Sequence, residues 1–373
     1  MAERDDSPLC LPSRGGVQRQ AGVGLSASSS ASLLQRLLNI LAHFFKRYKL
    51  LVRAVVLALI AVFLGTGVWR SWSTVSQYHW DVSWWLFLAA FLLLIAQELS
   101  YGFIWRGILA RLGSRLDIVT SQRIYLGAEF VRYIPGNVWH VITRVLWAEQ
   151  RGVPKSVGLA SMVIELATKI TSAALIFVLS LFFWPDVGAL TSRIDIPHGV
   201  LVVSAAVLVP LLLAGLYPPL LQTLLNLALK RLGREPVTIT VRYFDLLLIT
   251  SYWMLSWLVA GAGFYLLIDS IAGITLAPTT LALAIGIYAI AWDVGFLSFV
   301  TPSGLGFREA AMILLLTASN LVPSLAIATV LAFITRLLAT GSELICIAIA
   351  HIAPGAPVPP SVEMAQPAGG QLP

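Results

Sequence analysis

Two segments of the chain place arginine beside a proline–glycine interruption of an apolar run. The first contains Pro135 and Gly136, and the second contains Pro302 and Gly304. Proline removes a backbone donor and glycine permits positive φ, so a helix is interrupted at each place. A helix interrupted inside a membrane aims N–H groups at an anion, and a nearby guanidinium adds a fork of donors that suits phosphate. The pattern predicts a site for an anionic headgroup.

The candidates for contact with that headgroup share these two breaks or the helices that follow them. They are Arg132, Pro135, Gly136, Asn137, His140, Arg144, Pro302, Gly304, Gly306, Arg308 and Arg336. For the arginines, the alternative is that their side chains snorkel to lipid phosphates at the interface without a specific ligand. The chain has no His/Cys metal cluster, so no metal is predicted.

Other charged residues fall inside apolar runs, where each charge costs a few kcal/mol unless it has a partner. Residues expected to balance charge are Glu129, Glu165, Lys169, Asp293, Glu309 and Glu343. Glu165 and Lys169 are four residues apart and share one helix face, so an ion pair within that helix is the alternative to a functional role.

The composition indicates what surrounds these residues. Hydrophobic residues make up 58% of the chain and charged residues 12%, whereas a soluble chain carries about 25% charged residues. Lipid must therefore be the solvent for most of the protein. The composition excludes a disordered polymer and a nucleic-acid-binding domain. With only Cys10 and Cys346, it also excludes a secreted disulfide scaffold.

The sequence predicts an all-α, polytopic bundle of about 7–8 transmembrane helices, because several apolar runs approach the roughly 20 residues that cross a bilayer. The full spans predicted are Leu50–Trp69, Trp84–Trp105, Val157–Trp184, Gly199–Tyr217, Phe244–Ile268, Leu276–Val300 and Leu321–Ala350. Ile124–Trp147 and Leu305–Leu316 are predicted to be broken or re-entrant segments.

The domain organisation follows from the same hydropathy. We predict a disordered tail at 1–31, an amphipathic interfacial helix at 32–49, a transmembrane lipid-handling domain at 50–352 and a disordered Pro-rich tail at 353–373. For 32–49, a helical extension of the first span is the alternative. Basic residues before the first span, including Lys46, Arg47 and Lys49, predict a cytoplasmic N-terminus in the cell (inner) membrane.

A weak internal repeat links the two breaks. The first is followed by Val153-Pro154 and a long apolar helix that carries Lys169, and the second by Val322-Pro323 and a long apolar helix that carries Arg336. Repeated halves around a central site are a common plan in transporters. A parallel and an inverted repeat both remain open.

At these residues the sequence resembles the transmembrane region of lysylphosphatidylglycerol synthases, a family also found as stand-alone membrane proteins. The motifs are Arg132-Tyr133-Ile134-Pro135-Gly136 followed by Arg144, then Arg151-Gly152-Val153-Pro154 through Ser161 and Glu165, and Pro302-Ser303-Gly304-Leu305-Gly306-Phe307-Arg308-Glu309-Ala310. The resemblance covers the chain from about the first span to about Ala350.

The resemblance implies the lipid-translocating half of those synthases. We expect no lysyl transfer, because the tail after Ala350 is too short for their soluble aminoacyltransferase domain. Ser303 stands where the family often has glycine or a similarly small residue.

Two functions follow as hypotheses. The first is a flippase-like protein that binds and translocates a lipid with an anionic or polyprenyl-phosphate headgroup. The alternative is a membrane-embedded transferase or accessory subunit in lipid-linked sugar or aminoacyl-lipid synthesis, in which Glu129, His140 and Asp293 supply acid/base groups. No catalytic or nucleotide-binding motif is present, so neither enzyme activity nor a cofactor is predicted. The expected partners are membrane lipids, with a lipid-modifying aminoacyltransferase or glycosyltransferase left open.

Overall fold

The structure, a computed structural model, describes residues 76, 81–130, 139–183, 198–231, 236, 241–271, 276–298 and 301–352. In these residues the chain forms ten α-helices and no strand. The all-α prediction is therefore confirmed. Its physical reason is that hydrocarbon offers no partner for backbone polar groups, so an apolar run must satisfy them within its own helix.

The helices are numbered here in chain order. They are α1 Trp84–Arg111, α2 Ile118–Phe130, α3 Trp139–Glu149, α4 Lys155–Ser180, α5 His198–Gly215, α6 Pro218–Arg231, α7 Tyr243–Ile271, α8 Leu281–Leu297, α9 Phe307–Ala318 and α10 Leu325–Ile352. There are also three short 3₁₀ turns. Leu181–Phe183 follows α4, Pro278–Thr280 precedes α8, and Pro302–Gly304 lies within the second break.

Five of the helices in the described part are long and apolar enough to cross a membrane, namely α1, α4, α7, α8 and α10. A sixth candidate is a bent pair in α5 and α6, in which Val203–Gly215 and Pro218–Leu227 meet at 67°. The predicted span Gly199–Tyr217 thus corresponds to only the first arm of this pair. The predicted first span, 50–69, and the predicted segments 1–31, 32–49 and 353–373 lie outside the described residues. The count of 7–8 spans stays a prediction.

Helix α7 lies at the centre of the bundle, where it packs against α1, α4 and α8. Glycine allows the close approach, because a Cβ at Gly261 would overlap the backbone of Ile285 on α8. At Gly263 a Cβ would lie 3.1 Å from the carbonyl oxygen of Ala90 on α1. Small residues at such contacts are typical of packed membrane helices, which gain van der Waals contact when their backbones come close.

The second break lies directly against α8. Ser303 has φ 53°, Gly304 has φ 68° and Gly306 has φ 89°, so three residues here adopt left-handed backbone conformations. A Cβ at Gly304 would overlap the backbone of Gly295. Helix α9 begins immediately afterwards, and the Gly306 N–H donates to Glu309 Oε2 at 2.6 Å. The predicted interruption before Leu305–Leu316 is thus present.

For the first break, the apolar run Ile124–Trp147 corresponds to the end of α2 and most of α3. Helix α2 ends at Phe130 and α3 begins at Trp139. Arg132, Pro135, Gly136 and Asn137 fall between these ends and lie outside the described residues.

Candidate functional site

Arg144 forms an ion-pair cluster with two glutamates from different helices. Its side chain is 1% exposed. Nη1 donates to Glu165 Oε2 at 2.6 Å, and Nη2 donates to Glu129 Oε1. The guanidinium carbon lies 3.8 Å from the ring centroid of Tyr125, whose hydroxyl donates to Glu165 Oε1 at 2.8 Å. The cluster joins α2, α3 and α4.

These contacts favour a different role for Glu165 from the ion pair within a helix that its spacing suggested. Its two carboxylate oxygens accept hydrogen bonds from Arg144 and Tyr125. A buried cation between two buried carboxylates is costly to form from water, but removing one partner is costlier still. Arg144 therefore stabilises the junction of three helices in this conformation.

Lys169 lies in a cage of aromatic rings. Its Nζ is 3.8 Å from the ring centroid of Tyr101, 4.7 Å from that of Trp253 and 4.3 Å from that of Trp292. The rings come from α1, α7 and α8, and their electron-rich faces attract the ammonium group. Asp293, next to Trp292, is 3% exposed and interacts electrostatically with Lys169.

A small polar pocket adjoins this cage. Its volume is about 20 Å³, which is room for about one water molecule. Residues of α1, α8, α9 and α10 surround it: Glu98, Tyr101, Tyr288, Trp292, Arg308, Arg336, Ala339, Thr340 and Glu343. Two guanidinium groups and two carboxyl groups therefore meet at membrane depth. We refer to this cavity as the polar pocket.

Arg308 and Arg336 line the polar pocket from two different helices, α9 and α10. The guanidinium carbon of Arg308 lies 5.1 Å from the ring centroid of Tyr288. Its Nη2 is buried and has no hydrogen-bond partner among the residues that the structure describes. Arg336 donates from Nη1 to the Ser303 carbonyl at 3.3 Å and from Nη2 to the Ser303 hydroxyl at 3.1 Å. Arg336 thereby holds Ser303, one of the three left-handed residues of the break.

The structure distributes the described candidate residues over several places, and Lys169 and Asp293 lie at the aromatic cage. Arg308, Arg336 and Glu343 line the polar pocket, while Arg144 lies with Glu129 and Glu165. Pro302, Gly304 and Gly306 form the break. Glu309 accepts a hydrogen bond from the Gly306 N–H through Oε2, and its Oε1 lies 3.8 Å from Arg336 Nε. His140 is half-buried on the first turn of α3.

Sequence reasoning did not assign Glu98, Tyr101, Tyr288, Trp292 and Thr340 to the site. Glu98 had a signal, since it is a carboxylate within an apolar run. The aromatic residues had none, because tyrosine and tryptophan are common in the cores of apolar helices and at the membrane interface alike.

A family model described as the lysylphosphatidylglycerol synthase TM region matches residues 49–340, well over half of the chain. The chain belongs to this family. The match confirms the resemblance carried by the two motifs, and together with the apolar helices it identifies an integral, multi-pass membrane protein. Neither a curated protein nor a solved structure matches the sequence.

Proposed function

We propose that this protein binds a lipid with an anionic or polyprenyl-phosphate headgroup and translocates it across the cell (inner) membrane, with its N-terminus in the cytoplasm. The observation that carries the proposal is the pair of arginines at the second break. Arg308 and Arg336 come from different helices and face one pocket at membrane depth.

The unpaired donor of Arg308 favours an anionic ligand. A buried donor without a partner costs about 1–3 kcal/mol, and Nη2 of Arg308 is such a donor within the described residues. A phosphate oxygen would satisfy it with a charge-assisted hydrogen bond, which is stronger than a neutral one. Helix α9 begins just before Arg308 and adds the positive end of its dipole.

The carboxylates of Glu98 and Glu343 explain how the pocket can release its ligand. In the absence of a ligand they offset the charges of Arg308 and Arg336 together with Glu309, whose Oε1 lies 3.8 Å from Arg336 Nε. An arriving phosphate competes with them for the guanidinium groups. Binding is therefore an exchange of partners, and an exchange can be reversed on the other side of the membrane.

The volume of the polar pocket implies a conformational change. About 20 Å³ does not hold a lipid headgroup, so the helices around the pocket must separate before a headgroup enters. In transporters, irregular backbone at membrane depth commonly marks the place around which such opening occurs. The break at Ser303–Gly306 is the corresponding place here.

The test is a reconstitution of the full chain into vesicles that carry labelled lipids in one leaflet. The lipids are a phosphatidylglycerol, a polyprenyl phosphate and a phosphatidylcholine as the uncharged comparison. We expect movement that depends on the anionic headgroup, and a loss of roughly tenfold or more in Arg308→Gln, because a hydrogen bond to a charged group contributes about 1.5–3 kcal/mol.

The control variant is Arg115→Gln, since Arg115 is exposed and lies outside both the ion-pair cluster of Arg144 and the polar pocket. It should move lipid at the wild-type rate. Equal movement of all three lipids, or an unchanged rate in Arg308→Gln, would contradict the proposal. A covalently altered lipid without movement would favour the membrane-embedded transferase.

A further inference from the structure

A second cavity lies between α1 and α7, apart from the polar pocket. Its volume is about 350 Å³, within the range of roughly 300–1,000 Å³ that is typical of ligand sites. It is open toward the surface of the bundle, where Phe103 is 48% and Leu255 60% exposed. Both helices are candidate membrane spans, so this opening faces lipid. We refer to the cavity as the lateral groove.

The lining of the lateral groove suits a hydrocarbon chain. It is mainly apolar, and the hydroxyls of Ser100 and Ser256 bond within the wall. Ser100 donates to the Gln97 carbonyl at 2.6 Å, so Ser256 is the donor in the 2.8 Å hydroxyl pair with Ser100. Polar groups that are satisfied within the wall need no water or ligand in the groove.

One hydrogen bond links the wall of the lateral groove to the wall of the polar pocket. Gln97 lines the groove, and its Nε2 donates to the Tyr101 hydroxyl at 2.8 Å. Tyr101 lines the polar pocket and stacks its ring on the Lys169 ammonium. Both Gln97 and Tyr101 are buried, at 2% and 5% exposure. A molecule with one end in each cavity would need a charged head joined to a hydrocarbon chain.

We propose that the lateral groove holds a hydrocarbon chain of the lipid whose headgroup enters the polar pocket, and that the Gln97–Tyr101 pair is the partition which the headgroup crosses. This inference rests on the proposed function. It names where the transported lipid enters the bundle, which is between α1 and α7, and it assigns Gln97 as a positioning residue.

The first experiment locates the chain. The full-length protein is placed in nanodiscs with a phosphatidylglycerol that carries a diazirine near the end of one acyl chain. After irradiation, labelled peptides are identified by mass spectrometry. We expect enrichment on the peptide that contains Tyr252 and Leu255, compared with other apolar surfaces such as Phe182 and Phe183, which are at least as exposed.

A matched pair of variants tests occupancy. Ala96→Trp fills the groove from an exposed position on α1, whereas Leu92→Trp adds the same side chain one turn earlier, outside the groove. Enrichment should be lost in Ala96→Trp and kept in Leu92→Trp, and lipid movement should follow the same pattern. Unchanged enrichment in Ala96→Trp overturns the inference. A second outcome also overturns the inference. If the wild type shows no enrichment, and Ala96→Trp shifts from dimer to monomer on size-exclusion chromatography, then the occupant of the groove is a second copy of the chain.

Gln97→Leu tests the partition. This variant keeps the size of the side chain and removes the polar bridge, so labelling in the groove should remain while lipid movement falls by roughly fivefold or more, as the headgroup loses a polar partner on its path. Movement at the wild-type rate would remove Gln97 from the mechanism.

The outcomes separate this inference from the proposed function. If the wild type moves lipid, Arg308→Gln does not, and Ala96→Trp moves it normally, then only the groove is wrong. If no lipid moves in the wild type but labelling of the groove is lost in Ala96→Trp, then the groove binds lipid and the translocation proposal fails.

Discussion

Removal of the Arg144 guanidinium should destabilise the bundle more than the loss of any exposed charge. In Arg144→Met the long apolar side chain keeps much of the packing against Tyr125, but Glu129 and Glu165 are left buried without their cation. These two side chains are 10% and 8% exposed. Removing one partner of a buried ion pair costs about 3–5 kcal/mol, so we expect the free energy of unfolding to fall by at least that amount. The two carboxylates also repel each other once the cation is gone.

The assay is unfolding in detergent, followed by tryptophan fluorescence, with Arg115→Gln as the exposed control. Neutralising both carboxylates in the same chain, with Glu129→Gln and Glu165→Gln, should recover most of the lost stability, because no unpaired charge then remains in this cluster. If Arg144→Met unfolds like the wild type, or if the neutralised triple variant is no more stable than Arg144→Met alone, the ion-pair account of this cluster is wrong.

Two further predictions concern packing and charge. Gly261→Ala should lower the free energy of unfolding by about 1–3 kcal/mol, because the new methyl group overlaps the Ile285 backbone. Its control is Gly215→Ala, whose new methyl group meets no neighbouring atom within 4 Å and which should leave thermal stability unchanged or slightly higher. Lys169→Met should be less stable than the double variant Lys169→Met/Asp293→Asn, since the single change leaves a buried carboxylate without its nearby cation; equal melting temperatures of the two variants would show that the charges do not interact.

Five of the predicted full spans correspond to helices in the described part, since a long apolar run in hydrocarbon has only the helix available to it. The ends of α1, α7 and α10 extend beyond the predicted ones because polar residues such as Arg111 and His351 continue the helix past the apolar run. The bent pair was not anticipated. Tyr217 ends the predicted fourth span, and Pro218 then starts a new helix in another direction, as proline favours the first position of a helix.

The partners of the buried charges could not be predicted in the same way. Periodicity along one helix reveals only neighbours three or four residues apart, which is why Glu165 and Lys169 were considered together. The contacts in the structure join residues far apart in the chain. Arg144 meets Glu165 across 21 positions, and the three rings around Lys169 come from α1, α7 and α8. Such contacts depend on how helices pack, which no spacing within a single helix encodes.

The repeat predicts a cation at corresponding positions of its two halves, Lys169 and Arg336, and the structure gives the two cations different surroundings. This difference bears on where an anion binds. The ammonium group of Lys169 lies over the rings of Tyr101, Trp253 and Trp292 and interacts with Asp293, so its charge already has partners inside the bundle. Arg336 instead faces the polar pocket, and its neighbour Arg308 has a donor to spare. Tyr101 and Trp292 are shared by the cage and the pocket, so the charge of Lys169 acts on the pocket through two ring faces and favours an anion there without competing for its oxygens. We therefore expect the proposed headgroup to bind in the second half of the repeat, and the first half to supply charge and packing.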